Sequence, residues 1–330
     1  MLRAAPFARD LLQDSGSASI TVERNGVEET QTGFQVEWLS AQNEQARAPY
    51  APKNPPNARR ISLTPASALD NPISTLFIAT KAQSVLPSLS LLRSRLTNDS
   101  TIVFLQNGAG TVEEVVENLF QDANSRPSFL IGSVSHGCYK KANKSRLHTI
   151  WASLGEIVWA CIPSKAAAES IQTRMTKPLN PLLDSSSPIS PSLADHVPLT
   201  PSTQSLYLTI NALLACESLN PQWLSLSAFQ TKQLQKLAVN AVINPLTALL
   251  NVKNGYLLRA SNYSDLTVKI CQEASLVFAA QMNENKPFEG SHPLSVQSLA
   301  TRVKSLTKAT GKNVSSTLAD LRHKSQETEL

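Results

Sequence analysis

Three short, almost wholly apolar runs decide most of what the first half of this chain can become: "ISTLFIAT" (73–80), "STIVFLQNGAG" (100–110) and "SFLIGSV" (128–134). None has the length of a buried helix or the alternation of a half-exposed strand, so each reads as a strand covered on both faces. Helical periodicity fills the gaps, over Gln83 to Leu96 and "TVEEVVENLF" (111–120). In the second gap Thr111 reads as the N-cap, with Glu114 three residues on as its capping-box partner. Strand, helix, strand, helix, strand predicts a parallel sheet with crossover helices. Such sheets take ligands at the carboxyl ends of their strands, and the second strand ends there in the glycine turn "NGAG" (107–110).

"SASITVER" (17–24) and "GFQVEWL" (33–39) predict the strands of a hairpin, with Asn25-Gly26 between them as the turn signal. "RLHTIWAS" (146–153) and "GEIVWACIP" (155–163) predict a second hairpin. "YAPKNPPNARR" (50–60) is a proline-broken loop, and the Pro/Ser-rich run 177–202 is a linker or surface insertion. Beyond it the pattern is helical to the end, with helices over 202–218, 225–251, 262–282, 292–308 and 313–324 and breaks at Pro221, Gly255, Pro287 and Gly311. The expected organisation is an α/β domain over 1–176, the linker, and an all-α domain over 203–330.

The 330 residues suffice for two such cores. No window holds the roughly 20 consecutive apolar residues of a membrane helix. A net charge of +5 with dispersed basic residues reads as a solvated surface rather than a nucleic-acid footprint. Cys138, Cys161, Cys216 and Cys271 are far apart, and the five histidines are scattered. Neither a metal site nor a disulfide framework is expected, and a reducing, cytoplasmic setting is. "MLRAAPFARDLL" carries two arginines and leaves a mitochondrial leader as the alternative, although Asp10 and the strand-like sequence after it argue against one.

"KLAVNAVINPLTALLNVKNG" (236–255) poses a separate question. Lys236, Asn240 and Asn244 recur every four residues, which lays them on one stripe of a helix that is otherwise apolar. Each polar group costs about 1–3 kcal/mol if buried without partners. Pro245 removes a helix hydrogen bond and predicts a kink that frees a carbonyl near Ala241. A solvent-facing stripe is the bland alternative; a ligand meeting the stripe explains it better. Asn107 after the second strand is either a turn residue or a ligand contact, and Lys81 after the first is either surface or a reach towards phosphate or carboxylate.

Taken together, "IATKAQ" (78–83), "FLQNGAGT" (104–111), "KLAVNAVINPLTALLNVKNG" and "SSTLADLR" (315–322) resemble, in order and spacing, the ketopantoate reductases (2-dehydropantoate 2-reductases). The likeness covers most of 17–330. It implies a Rossmann-like α/β domain followed by an all-α domain, NADPH as cofactor and 2-dehydropantoate as substrate. Nucleic acid and membrane play no part in it, and it leaves room for a homodimer. Lys236 would be the general acid that protonates the ketone oxygen. Asn240 and Asn244 would bind substrate hydroxyl and carboxylate, and Ser316 the carboxylate. Asn107 would hold cofactor ribose and substrate, with Lys81 beside the cofactor.

The chain also departs from the family. It contains no GxGxxG turn, so the first strand and glycine loop are missing. Arg3 falls where a 2′-phosphate-binding arginine would, as if the chain began late. The cofactor-binding glutamate is assigned to Glu329 rather than Glu327. Leu234 stands where a Trp often precedes the lysine. The 330 residues on their own are therefore expected to bind NADPH weakly. A non-catalytic protein that keeps the fold, as a small-molecule binder or assembly partner, is the competing function.

Overall fold

The computed structural model describes residues 18–34, 71–107, 110–140, 148–162, 203–282, 284 and 286–322. Arg3, Glu327, Glu329, Gly108, the 50–60 loop, the 177–202 run and positions 35–39 of the expected second strand lie outside the described residues. The chain divides into two units, Met1–Ser225 and Leu226–Leu330.

In the first unit, strands β1 (Ala18–Arg24) and β2 (Val27–Phe34) form the hairpin around Asn25 and Gly26, whose φ values of 52° and 80° are the left-handed pair that a two-residue turn requires. The second strand starts straight after the turn, six residues earlier than "GFQVEWL" predicts. The three apolar runs become β3 (Thr75–Ile78), β4 (Thr101–Phe104) and β5 (Ser128–Val134), adjacent and parallel. Every residue of β4 is buried because both of its faces are covered. Ile102 and Phe104 pack with helices α1 (Val85–Leu92) and α2 (Thr111–Leu119). On the opposite face Val103 packs with Leu206 and Ile210 of α3 (Gln204–Ala215). By contrast β3 is an edge of this sheet, and Phe77 stays 42% exposed rather than covered. Helix α2 also departs from the expected capping box. Gly110, at φ 90°, is the N-cap without a side-chain bond, and Thr111 is already helical.

"HTIWAS" and "IVWACI" do form strands, β7 (His148–Ser153) and β8 (Ile157–Ile162), but not a hairpin with each other. Strand β7 pairs with β6 (Gly137–Lys140) and β1, whereas β8 pairs antiparallel with β5. The β5–β6 and β7–β8 segments cross together from one sheet to the other. Their crossing is pinned where Gly155 donates its N–H to His136 Nδ1 at 2.9 Å and Ser135 Oγ accepts from Glu156 N at 2.8 Å. A Cβ on Gly155 would lie 2.5 Å from the Ser135 backbone, so only glycine lets the strands approach this closely. The result is a four-stranded sheet, β2-β1-β7-β6, and a five-stranded one, β3-β4-β5-β8 completed by a short last strand.

The last strand, β9 (Pro221–Trp223), falls in the break expected at Pro221, where the pattern gives no strand. Helix α3 belongs with the sheet as well: Ser205 Oγ lies 2.6 Å from Thr101 Oγ1, and Thr209 Oγ1 lies 2.9 Å from Thr75 Oγ1. The division between the units accordingly falls at Ser225, beyond α3.

The second unit is helical: α4 (Leu226–Leu250), α5 (Tyr263–Gln281), α6 (Val296–Ala309) and α7 (Ser316–Arg322). Its core joins Leu234, Val239, Val242 and Ile243 of α4 to Cys271 and Phe278 of α5 and Leu299 and Val303 of α6. Helix α4 continues through Pro245 and ends in a Schellman motif. Asn251 takes φ 53°, Asn251 N donates to Ala248 O at 3.3 Å, and Val252 N donates to Thr247 O at 3.1 Å. Among the described residues no helix is long and apolar enough to cross a membrane.

Burial sorts the four thiols. Cys161 on β8 and Cys271 on α5 are buried, which pushes them up to about 12 and about 11, while Cys138 and Cys216 are exposed. A thiol reagent at about pH 8 should therefore titrate Cys138 and Cys216 in the native chain and reach the other two only after denaturant is added. Four fast thiols would mean that these cores open readily.

Candidate active site

Helix α4 arranges three parallel stripes at four-residue spacing. Val239, Ile243 and Thr247 are buried; Lys236, Asn240 and Asn244 are half-buried; Leu237 and Ala241 are exposed. The polar stripe thus runs along the shoulder of the core rather than within it. This eases the desolvation cost that full burial would carry, while the groups stay on a rigid helix. The exposed Leu237 and Ala241 put apolar surface directly beside the ammonium and amides.

Ser316 joins the stripe through tertiary structure. Asn244 Nδ2 lies 3.5 Å from Ser316 Oγ, a long hydrogen bond across 72 residues of sequence. The Ser-Ser pair divides its work. Ser315 is buried and caps α7, its Oγ accepting from Leu318 N at 3.2 Å. The same hydroxyl lies 2.7 Å from Thr247 Oγ1, which donates to Ile243 O at 2.7 Å. Ser316, one residue on, is exposed beside Asn244. The buried Thr247–Ser315 contact holds α7 to α4 one turn from the Asn244–Ser316 pair. These two hydroxyls escape a sequence reading because neither looks different from any other Ser or Thr.

Other polar residues of the long block are tied into the second unit itself. Asn254 is buried, with Nδ2 donating to Thr310 Oγ1 at 2.9 Å, and Gly255 N donates to Gly311 O at 3.1 Å. A Cβ on Gly255 would come within 2.9 Å of Gly311 Cα. "NG" at 254–255 therefore serves the close crossing of two chain segments.

In the first unit, Lys81 and Asn107 follow β3 and β4, which pair Ile78 with Phe104 at their carboxyl ends. Lys81 is half-buried and Asn107 exposed. Gln106 Nε2 donates to Ile78 O at 2.9 Å and ties the two strand ends together. Among the described residues, buried Thr80 Oγ1, Ser84 Oγ and Gln106 Oε1 meet no hydrogen-bond partner, as is also true of Trp159 Nε1, Trp223 Nε1 and Asn254 Oδ1 away from this edge. Buried oxygens of that kind are costly unless met. Thr80 and Gln106 fall within the sequence blocks around Lys81 and Asn107, and Ser84 directly follows the first of them. For a dinucleotide the fit is partial. A cation, an amide and three oxygens are present, but the 330 residues contain no GxGxxG turn to cradle a pyrophosphate. Arg3 and Glu329 lie outside the described residues.

Against known proteins, the family described as "Ketopantoate reductase PanE/ApbA" matches residues 7–163, and its C-terminal partner, "Ketopantoate reductase PanE/ApbA C terminal", matches 228–330. The chain belongs to the ketopantoate reductase family. A probable 2-dehydropantoate 2-reductase of Schizosaccharomyces pombe is 30% identical over 251 residues, spanning 75% of this chain and 63% of that protein. A ketoisovalerate reductase of Gibberella intermedia is 26% identical, over 71% of this chain and 49% of its own length. The chain thus matches less than two thirds of the length of either relative. D-mandelate dehydrogenase, solved with NADH and anilino(oxo)acetate, superposes with a TM-score of 0.57 at 15% identity, covering 92% of this chain and 72% of that one. That likeness is one of fold. A Rossmann-like α/β region followed by a helical one is the architecture of this ketopantoate reductase family member.

Proposed function

We propose that the protein reduces a 2-keto acid to the 2-hydroxy acid with NADPH, and that the keto acid is 2-dehydropantoate. The observation that carries this reading is the meeting of Asn244 and Ser316 at 3.5 Å on the stripe that also holds Lys236 and Asn240. One ammonium, two amides and a hydroxyl, with apolar Leu237 and Ala241 alongside, match a small branched acid bearing a carboxylate, a ketone and a hydroxyl. NADPH, when bound, supplies the hydride for the ketone carbon. Lys236 donates a proton to the ketone oxygen and stabilises the negative charge developing there. Asn240, Asn244 and Ser316 orient the acid through its hydroxyl and carboxylate oxygens. Lys81 and Asn107 would hold the cofactor at the carboxyl ends of β3 and β4, where Thr80, Ser84 and Gln106 offer further polar atoms.

The test follows NADPH absorbance with 2-dehydropantoate and with 2-oxoisovalerate, which lacks the hydroxymethyl group and so the hydroxyl. It uses the 330-residue chain and, beside it, the chain with any coding sequence upstream of Met1. A site that hydrogen-bonds a substrate hydroxyl rejects the analogue without it, so 2-dehydropantoate should be preferred by at least about tenfold in kcat/KM. Equal rates would transfer the assignment to the simpler branched acid, and no turnover in either form would favour a non-catalytic binder. Asn240→Ala or Asn244→Ala should each cost about 1–3 kcal/mol in kcat/KM. Both asparagines replaced without a kinetic effect would make the stripe structural.

A further inference from the structure

The four-stranded sheet brings together a donor set that the sequence scatters. Glu23 and Glu28 face each other across the β1–β2 hairpin as directly paired residues. His148 lies on β7, 125 residues further on. Its Nε2 is 2.9 Å from Glu23 Oε2 and 3.8 Å from Glu28 Oε1, and all three ligand atoms lie within 4.8 Å of one another. The register explains the convergence. Thr21 pairs with His148 and Glu23 with Ile150, so His148 rises on the same face as Thr21 and Glu23. On the next rung Thr21 Oγ1 bonds Thr30 Oγ1 at 2.9 Å. Arg24 turns to the opposite face, its guanidinium 4.6 Å from the centre of the Trp151 ring.

We propose that Glu23, Glu28 and His148 form a site for a divalent transition-metal ion, of the class that zinc and manganese represent. Two carboxylates directly opposite on neighbouring strands repel, and a dication between them reverses the sign of that interaction. One imidazole with two carboxylates is a donor set such ions accept. An ion bound at about 2.0–2.2 Å by each donor holds its donors roughly 3–3.6 Å apart. Glu23 and His148 already satisfy that spacing, and the Glu28 carboxylate, with its side chain 44% exposed, has room to close the rest. His148 is almost fully buried, and Glu28 is the exposed member of the set. The ion would fasten the hairpin to β7, far in sequence from the residues assigned to reduction, and its binding does not depend on that assignment.

Calorimetry of the full 330-residue chain with zinc, and melting curves with and without it, test the site. The expected result is one equivalent bound with low-micromolar affinity and a raised melting temperature. Glu28→Gln changes an exposed group and should leave the ion-free melt intact while weakening binding by roughly tenfold or more. Glu23→Gln should weaken binding likewise. Cys138→Ser with Cys216→Ser removes the exposed thiols, and binding should survive that change. His148→Asn should abolish binding, but it alters a buried residue, so Glu28→Gln carries the decision if that variant fails to fold. No binding at submillimolar zinc overturns the proposal and leaves His148 as a hydrogen-bond partner of Glu23 alone. Binding that ignores Glu28→Gln, or that vanishes with the cysteines, overturns it equally.

Discussion

Replacing Lys236 with alanine is expected to lower turnover of the keto acid by at least about a hundredfold, the lower bound of what a positioned general acid contributes. Lys236 heads a half-buried stripe on a 25-residue helix, so its ammonium is presented from a rigid element rather than a loop. The substitution removes both the proton donor and the charge that meets the developing alkoxide. Lys236→Arg separates the two. It keeps a cation but offers a guanidinium that does not give up its proton, so an arginine variant as slow as the alanine one would assign the loss to proton transfer. An arginine variant close to the parent would make the role electrostatic. Neither change should alter the melting temperature much, because the residue lies beside the core rather than in it. Unchanged turnover in Lys236→Ala would remove this residue from the mechanism.

Gly132→Ala is expected to be strongly destabilising in the first unit. Gly132 sits within β5 directly opposite Trp159 of β8. A Cβ there would fall 2.3 Å from Cζ3 of the Trp159 ring and 2.9 Å from a methyl carbon of Leu105. The ring cannot yield easily, since Trp159 is buried in a cluster with Val103, Leu130, Leu206 and Ile210. Overpacking of this kind costs about 1–3 kcal/mol, or roughly 2–4 °C of melting temperature per kcal/mol in a unit of this size. Trp159→Leu makes room but gives up packing of its own. The double variant should therefore be more stable than the two single losses added together, with a coupling of about 0.5–3 kcal/mol. Strict additivity, or a Gly132→Ala protein that melts with the parent, would show that the ring does not lie over Gly132.

The parts of this protein readable in the sequence are those governed by local periodicity. Short apolar runs gave the three parallel strands, four to seven residues long, and the helical repeats with Pro and Gly breaks gave α4 to α7 to within a few residues. Asn25-Gly26 placed its turn because only a few residues accept two consecutive positive φ angles. Four-residue spacing put Lys236, Asn240 and Asn244 on one face, since helix geometry alone decides that.

What periodicity cannot carry is partnership between segments. Strand pairing depends on which backbone reaches which, so β7 and β8 read as a hairpin although Gly155 against Ser135 sends them to different sheets. Helix α3 has the pattern of any amphipathic helix; its hydroxyl contacts with Thr75 and Thr101 assign it to the sheet. The capping of α2 turned on the left-handed conformation of Gly110, which its neighbours in sequence do not dictate. Serines 315 and 316 are chemically identical, and only the packing of α7 on α4 makes one a buried cap and sets the other beside Asn244. Glu23, Glu28 and His148 meet for the same reason. Sequence determines which faces a segment can present, and the tertiary contacts decide which of those faces meet.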